Sequence, residues 1–589
     1  MESNSDQSEN AASNVASGRG FSSVATQNLT ELRDTLAELV FVHGPSEAVS
    51  QSEELRAKTL HQIADYLLPR VSNLGAPLLA VVGGSTGSGK STLVNSLLGE
   101  QVSVSGAVRP TTRTPVLAFN PADQTFFDSE RVLPELIRVT GQGFAVGGDS
   151  SRSDALLMTP HERVPQGLAI LDAPDIDSVS DDNRSLAGQL LNAADLWIFV
   201  TTANRYADAL PWDLLTDAGV RNITVCVVLN RVPLGAEKDI VPDLRRLLTE
   251  KNLDPALLHV LNETQLSEDK LIPADQVAPL SQWLNELAAD ATRRQQLAAQ
   301  TLEGAMRRTT ADAGELLAEV QDQESQLAEL RKLTSDRFDQ ALARINEGLD
   351  DGSLLRGEIL SRWQDFVGAG ELLRGIEGAV GRMRDRVSSF FSGRPAATHK
   401  VEQAIESGLH TVFIAEITNA CHDIDRSWKN TPLGQVLRGE LSSPRPAADF
   451  NEQAADSIRL WQKDILEMIR EEGAGKRKTA RMAAFGVNGV AVILMVVVFA
   501  STAGLTGLEI GIAGGSAVVG QKLLEAIFGE DAVRRMASRA RKMLDTRAKA
   551  LIANTSEIYT NEIDGHSQPE VVEALNRATE SLNSKGGRK

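Results

Sequence analysis

The spacing of hydrophobic positions changes several times along the 589-residue chain. Residues 1–27 carry few such positions, are rich in Ser, Asn, Gln and Gly, and read as a disordered tail. Over 28–74 leucines recur at helical spacing, as at Leu32, Leu36 and Leu39 and again at Leu55, Leu60, Leu67 and Leu68; His43-Gly44-Pro45 divides two helices. From 75 to 292 short apolar runs of strand length take over, at 78–82, 167–171, 196–200, 223–229 and 258–261, with longer polar-apolar stretches between them. Strands alternating with helices predict a mostly parallel α/β sheet covered on both faces.

Residues 293–475 return to helical spacing, and one stripe runs Leu316, Val320, Leu327, Leu330, Phe338, Leu342, Ile345, Leu349, close to a heptad repeat. A second runs Ile458, Trp461, Ile465, Met468. Such stripes predict a long all-α bundle or stalk whose seams close within the chain, with Trp363 and Phe366 in its core. At 476–530 the composition shifts sharply. Lys476-Arg477-Lys478 and Arg481 precede an uncharged run from Met482 to Thr506. About 20 residues at roughly 1.5 Å each span a bilayer core of about 30 Å.

After Glu509 a shorter, glycine-rich apolar stretch follows, then the basic residues Arg534, Arg535, Arg539, Arg541, Lys542, Arg547 and Lys549. Basic clusters on both flanks predict a membrane hairpin, as two spans or a re-entrant dip, that returns to its starting side. Gly507, Gly511 and Gly515 would let its legs pack closely. A basic return helix (531–565) and a polar tail (566–589) complete the division.

The chemistry concentrates at the end of the first strand. Gly84-Ser85-Thr86-Gly87-Ser88-Gly89-Lys90-Ser91-Thr92 is a phosphate-binding loop between a strand and a helix. Glycines let backbone N–H groups approach phosphate oxygens, and the helix that follows turns its positive end to the same anion. Lys90 would reach the β- and γ-phosphates, and the Ser91 hydroxyl would ligate Mg²⁺. Some 20 residues on, Thr112, with Thr111 as the alternative, stands where a loop can sense the γ-phosphate and complete the metal shell. Asp172 closes the strand 167–171 at its carboxyl edge and fits the acidic group that holds Mg²⁺ through water. Net charge −19 argues against general nucleic-acid affinity, and two cysteines, Cys226 and Cys421, against a disulfide framework or a Cys-based metal site.

These elements together resemble the P-loop GTPases, and the helical remainder resembles the bacterial dynamin-like branch. In that family the third element reads Asp-x-x-Gly and the fourth Asn/Thr-Lys-x-Asp. Here the third is Asp172-Ala173-Pro174-Asp175, so an Asp stands where the family's Gly N–H meets the γ-phosphate. The fourth is Asn230-Arg231-Val232-Pro233, and Pro233 cannot accept the guanine hydrogen bonds that an Asp accepts. Asn230 can hold the base or the loop, and the Arg231 stem can cover the base. Thr86 stands where dynamins tend to carry a polar catalytic residue.

The resemblance implies an α/β P-loop GTPase domain, a helical stalk and an inserted membrane segment. It implies GTP and Mg²⁺ as cofactors, with Lys90, Thr112 and Asp172 as the catalytic set. It also implies hydrolysis coupled to membrane association or remodelling, self-association, and a place at the cytoplasmic membrane, with the GTPase domain in the cytoplasm and the basic flanks on an anionic leaflet. Two alternatives stand beside it. One is a nucleotide-gated membrane anchor or regulator with little turnover. The other is a transporter-type ATPase, against which stand a missing Leu-Ser-Gly-Gly-Gln signature and a lone hairpin.

Overall fold

The computed structural model describes residues 23–42, 47–103, 114–128, 132–140, 154–178, 181–350, 358–367, 395–440, 446–474, 486–500 and 514–586. Two units emerge. The first comprises Met1–Phe41, Ser46–Asp322 and Gln568–Lys589; the second comprises Val42–Pro45 and Gln323–Ser567.

The first unit is built on an eight-stranded sheet ordered β3-β4-β2-β5-β1-β6-β7-β8. Its strands are β1 (Leu78–Gly84), β2 (Val116–Phe119), β3 (Ile137–Thr140), β4 (Ala155–Pro160), β5 (Leu168–Asp172), β6 (Leu196–Thr202), β7 (Thr224–Val232) and β8 (Leu258–Asn262). All neighbours run parallel except β2 and β5, which are antiparallel. β1 is buried along its whole length, as expected of a central strand with both faces covered. Its odd-numbered side chains Leu79 and Val81 join one core and its even-numbered Leu78, Ala80 and Val82 another, the two-residue period of a sheet with a layer on each face. The helices α1 (23–38) and α2 (Glu47–His61) precede the sheet; α2 runs on through a π turn, Gln62–Leu67, into Leu68–Ser72.

A buried polar cluster ties that helical lead to the sheet. The Asp195 carboxylate, fully buried at the start of β6, accepts hydrogen bonds from the Leu79 amide at 2.8 Å and the Tyr66 hydroxyl at 3.1 Å, and pairs with the Arg70 guanidinium. Burial pushes the Asp195 carboxyl up, and Arg70 acts against it. Asp65, in the π turn, is buried with one oxygen accepting from Gln189 Nε2 at 2.8 Å and the other without a hydrogen-bond partner among the described residues. Burial raises its carboxyl to about 6. A separate core joins Leu29, Leu32 and Leu36 of α1 to Leu575, Ala578 and Leu582 of the helix Pro569–Gly586, so most of the stretch expected as a polar tail is an amphipathic helix with a buried face.

The second unit is helical. It contains the distal part of Ala291–Asp350, then Glu358–Val367, Pro395–Trp428, Pro432–Glu440, Phe450–Glu472, Val487–Ala500, Gly514–Phe528 and Glu530–His566. The heptad-like stripe divides between the units: Leu316 and Val320 pack into the core of the first, and Leu327, Leu330, Phe338, Ile345 and Leu349 into that of the second. Ile458, Trp461, Ile465, Met468 and Trp363 are buried in the same second core.

The apolar run expected to form a membrane hairpin is placed differently. Its described helix, Val487–Ala500, has 14 residues, and Val490 to Phe499 are each no more than 2% exposed. That helix packs against Pro395–Trp428, Phe450–Glu472, Gly514–Phe528 and Glu530–His566, with the Phe499 ring 5.9 Å from that of Trp461. A helix apolar on all sides needs cover on all sides, and here protein supplies it. Among the described residues no helix is long and apolar enough to cross a membrane. The hairpin tip at 501–513 and the basic stretch at 476–481 lie outside them. The other basic cluster is largely matched by acids, with Arg534 on Glu530, Arg535 on Glu472, Arg539 on Glu471, Arg547 on Asp464 and Lys549 on Asp545.

Candidate nucleotide site

The register of four strands assembles the site. Val82 of β1 lies opposite Asp172 of β5, Gly84 opposite Val200 of β6, and Thr202 of β6 opposite Asn230 of β7. The phosphate loop, Asp172 and Asn230 therefore meet at one carboxyl edge, where open α/β sheets bind ligands. Gly84 and Gly89 are required by geometry. A Cβ on Gly84 would lie 2.1 Å from the Val200 carbonyl, and Gly89, at φ 97°, would put one 2.4 Å from the Asn230 amide. The loop is also closed internally, since the Ser88 amide donates to the Ser85 carbonyl at 3.1 Å, and the helix Lys90–Leu98 starts from Gly89, whose carbonyl accepts from Leu93 N at 2.9 Å.

Lys90, 5% exposed, donates its ammonium to the Gly84 carbonyl at 2.9 Å and the Ser85 carbonyl at 3.2 Å, and pairs with the Asp175 carboxylate. Asp172 is fully buried. Its Oδ2 accepts from the Ser103 hydroxyl at 2.5 Å, and the Ser91 hydroxyl also hydrogen-bonds the carboxylate. Burial raises the Asp172 carboxyl, opposed by those two hydroxyls and by Lys90. Asp172 Oδ1 has no hydrogen-bond partner among the described residues. An orphaned carboxylate oxygen beside the Ser91 hydroxyl is a donor set that fits a hard cation such as Mg²⁺.

Asn230 has both ends of its amide occupied by protein. Nδ2 donates to the Ser88 carbonyl at 2.8 Å and Oδ1 accepts from the Arg231 amide at 2.9 Å. It holds the loop. Arg231 is exposed and takes a left-handed backbone, φ 57°. Thr86 is engaged through both its amide (2.5 Å) and its hydroxyl (2.7 Å) by Asp177 Oδ1. Asp177 in turn pairs with Arg205 at 2.8 Å, which donates to the Thr86 carbonyl at 3.1 Å. Thr111 and Thr112 lie outside the described residues. Asp177, Ser103 and Arg205 are not marked as site residues by the sequence pattern. Ser103 and Arg205 belong to no motif and reach the site only through tertiary folding; Asp177, two residues past Asp175, carried a signal by proximity alone.

A glycine loop on a central parallel strand, with an acid at the neighbouring strand's end and a hydroxyl beside it, defines a P-loop domain for nucleoside triphosphates. Residues 79–231 match the model of the Dynamin family. Over those residues the chain is similar to the nucleotide-binding domain of that family. Two solved structures, both described as an oligomerised bacterial dynamin pair in the long-range sensing and tethering of membranes, are similar at 10% and 11% identity. The matches cover 95% and 96% of this chain and 95% of each of those chains, with TM-scores of 0.40 and 0.39. A search of the curated proteins finds no match.

Proposed function

We propose that this protein binds GTP with Mg²⁺ at the β1 loop, hydrolyses it, and couples that cycle to membrane association and self-association at the cytoplasmic face of a membrane. The observation that carries the reading is the junction of the loop with Asp172 and Ser91 at one sheet edge. Lys90 would be the group that meets the β- and γ-phosphate oxygens, and the helix beginning at Lys90 directs its positive end there. Ser91 and Asp172 would hold the magnesium ion, with Thr112 completing its shell, and the ion would neutralise charge building on the phosphates. The guanine preference rests on the family resemblance, since Pro233 offers the base no side-chain acceptor and Asn230 is spent on the loop. Membrane coupling likewise rests on the family.

A second reading, a nucleotide-gated regulator with little turnover, draws support from Asp175. It puts a negative charge where the family has a glycine N–H, and it holds Lys90. Competing ATP against GTP on the full chain, then following phosphate release with and without anionic vesicles, separates the readings. GTP preference with vesicle-stimulated turnover, lost in Lys90→Ala, is expected. A preference for ATP would overturn the base assignment, and tight GTP binding without turnover would leave the regulator.

A further inference from the structure

We propose that Asp175 is a built-in competitor of the nucleotide: its carboxylate occupies the phosphate-binding lysine, and the triphosphate must displace it. The inference rests on the nucleotide-site reading above and deepens it.

An ammonium has three donors, and Lys90 uses all three within the protein, on the Gly84 and Ser85 carbonyls and on Asp175. The two carbonyls belong to the loop that the lysine spans and shape it. Only the third bond goes to an anion outside the loop, so the Asp175 contact is the one a phosphate would replace. The side chains suit the exchange, because Lys90 is 5% exposed and Asp175 20%, leaving the acid an outlet to water that the lysine lacks.

The backbone holds Asp175 over the loop. The Ala173 amide donates to the Val82 carbonyl at 3.2 Å and the Ile176 amide to that of Gly84 at 3.4 Å. Two residues on, Asp177 grips the Thr86 amide and hydroxyl and is itself held by Arg205. Although burial opposes it, the Thr86 bonds and Arg205 keep the Asp177 carboxyl below its ordinary value, so this second clamp stays ionised at neutral pH. Segment 173–178 thus lies across the loop with one acid fixed on Thr86 and the other on the lysine.

A γ-phosphate at Lys90 and a carboxylate at the same ammonium would be like charges within a few ångströms, at a site where water screens them poorly. One must leave. Exchange of Asp175 for phosphate would move the segment only when a triphosphate is present, so the residue that departs from the family's glycine acts both as a brake on affinity and as the lever through which the γ-phosphate is sensed. A diphosphate, with no γ-phosphate to compete, would disturb the pair less.

The test measures dissociation constants of a non-hydrolysable GTP analogue and of GDP for the full chain with Mg²⁺, as wild type, Asp175→Asn and Asp175→Glu. A charge-assisted hydrogen bond of this kind contributes about 1.5–3 kcal/mol, so its loss should tighten the analogue by about tenfold or more. GDP should tighten less, and Asp175→Glu, which keeps the charge, should stay near wild type. A merely structural role would not separate Asn from Glu in this way. If the wild type binds the analogue and Asp175→Asn binds it no tighter, or more weakly, the competitor is refuted while the nucleotide site stands. If Asp175→Asn alone binds measurably, the proposal is supported in its strongest form. If neither wild type nor variants bind any nucleotide, the site and the competitor fall together.

Discussion

Leu494 sits midway along the apolar helix Val487–Ala500 and is fully buried, with Ile493, Met495 and Val496 beside it no more than 1% exposed. Leu494→Ala removes three methyl or methylene groups from a site with no solvent into which it can relax. The transfer loss is roughly 2 kcal/mol at about 0.8 kcal/mol per group. The residual cavity adds a further 1–2 kcal/mol, on the order of 24 cal/mol per Å³ for a partly collapsed void. A total of about 3–4 kcal/mol falls within the range for leucine truncations in cores, about 2–5 kcal/mol. The readout is urea unfolding in detergent-free buffer, followed by tryptophan emission, since Trp363, Trp428 and Trp461 all lie in this core. With a urea dependence near 3 kcal/mol per molar, the transition of this unit should move down by about 1 M. Were the helix instead a bilayer span, it would contribute no packing in lipid-free buffer and the midpoint would not move. A shift below about 0.3 M would refute the burial argument.

Two further outcomes follow from the first unit. Asp65 holds its proton up to about pH 6 in the folded chain, whereas an ordinary aspartate releases it near 3.8. Within that window the folded state binds more protons, so stability falls as pH rises; Asp65→Asn, which keeps the acceptor for Gln189, should therefore raise the melting temperature at pH 7.5 by the equivalent of about 1–3 kcal/mol and lose that advantage near pH 4. An equal gain at both pH values would refute it. Asp195→Ala leaves the Arg70 guanidinium, 8% exposed, without its counter-ion and the Leu79 amide without its acceptor, and should cost about 3–5 kcal/mol in a denaturant titration. A cost under about 1 kcal/mol would show that Arg70 finds water or another acceptor.

The phosphate loop was legible because its signal is local: glycines, lysine and serine at fixed spacing, between a strand run and a helix run. The parallel sheet followed from the alternation of apolar runs, but its order did not, nor the reversed direction of β2, because pairing is decided between residues far apart in sequence. Asp195 and Arg70 carried no signal, being single charges at element ends whose partners come from elsewhere in the chain. The Met482–Thr506 run was read as a membrane hairpin, and the part of it that the structure describes, Val487–Ala500, is covered by protein. Apolarity on every side states that a helix avoids water and leaves open whether lipid or protein covers it. Here cover comes from four helices, two of them downstream. Asp175 was visible as a departure from the family pattern, while its hold on Lys90 required the folded loop.

The first unit is assembled from three stretches of chain, the last beginning at Gln568, and its α1 core includes Leu575, Ala578 and Leu582. During synthesis, therefore, that core stays incomplete while the whole of Gln323–Ser567 is made. At roughly 5–20 residues per second the wait is on the order of tens of seconds, during which Leu29, Leu32 and Leu36 lack part of their cover. The helical unit, by contrast, can close as soon as its last helix emerges. The nascent chain thus has a defined interval in which the apolar leucines of α1 are open to chaperones or to the wrong neighbour, and that interval ends only when the helix Pro569–Gly586 arrives.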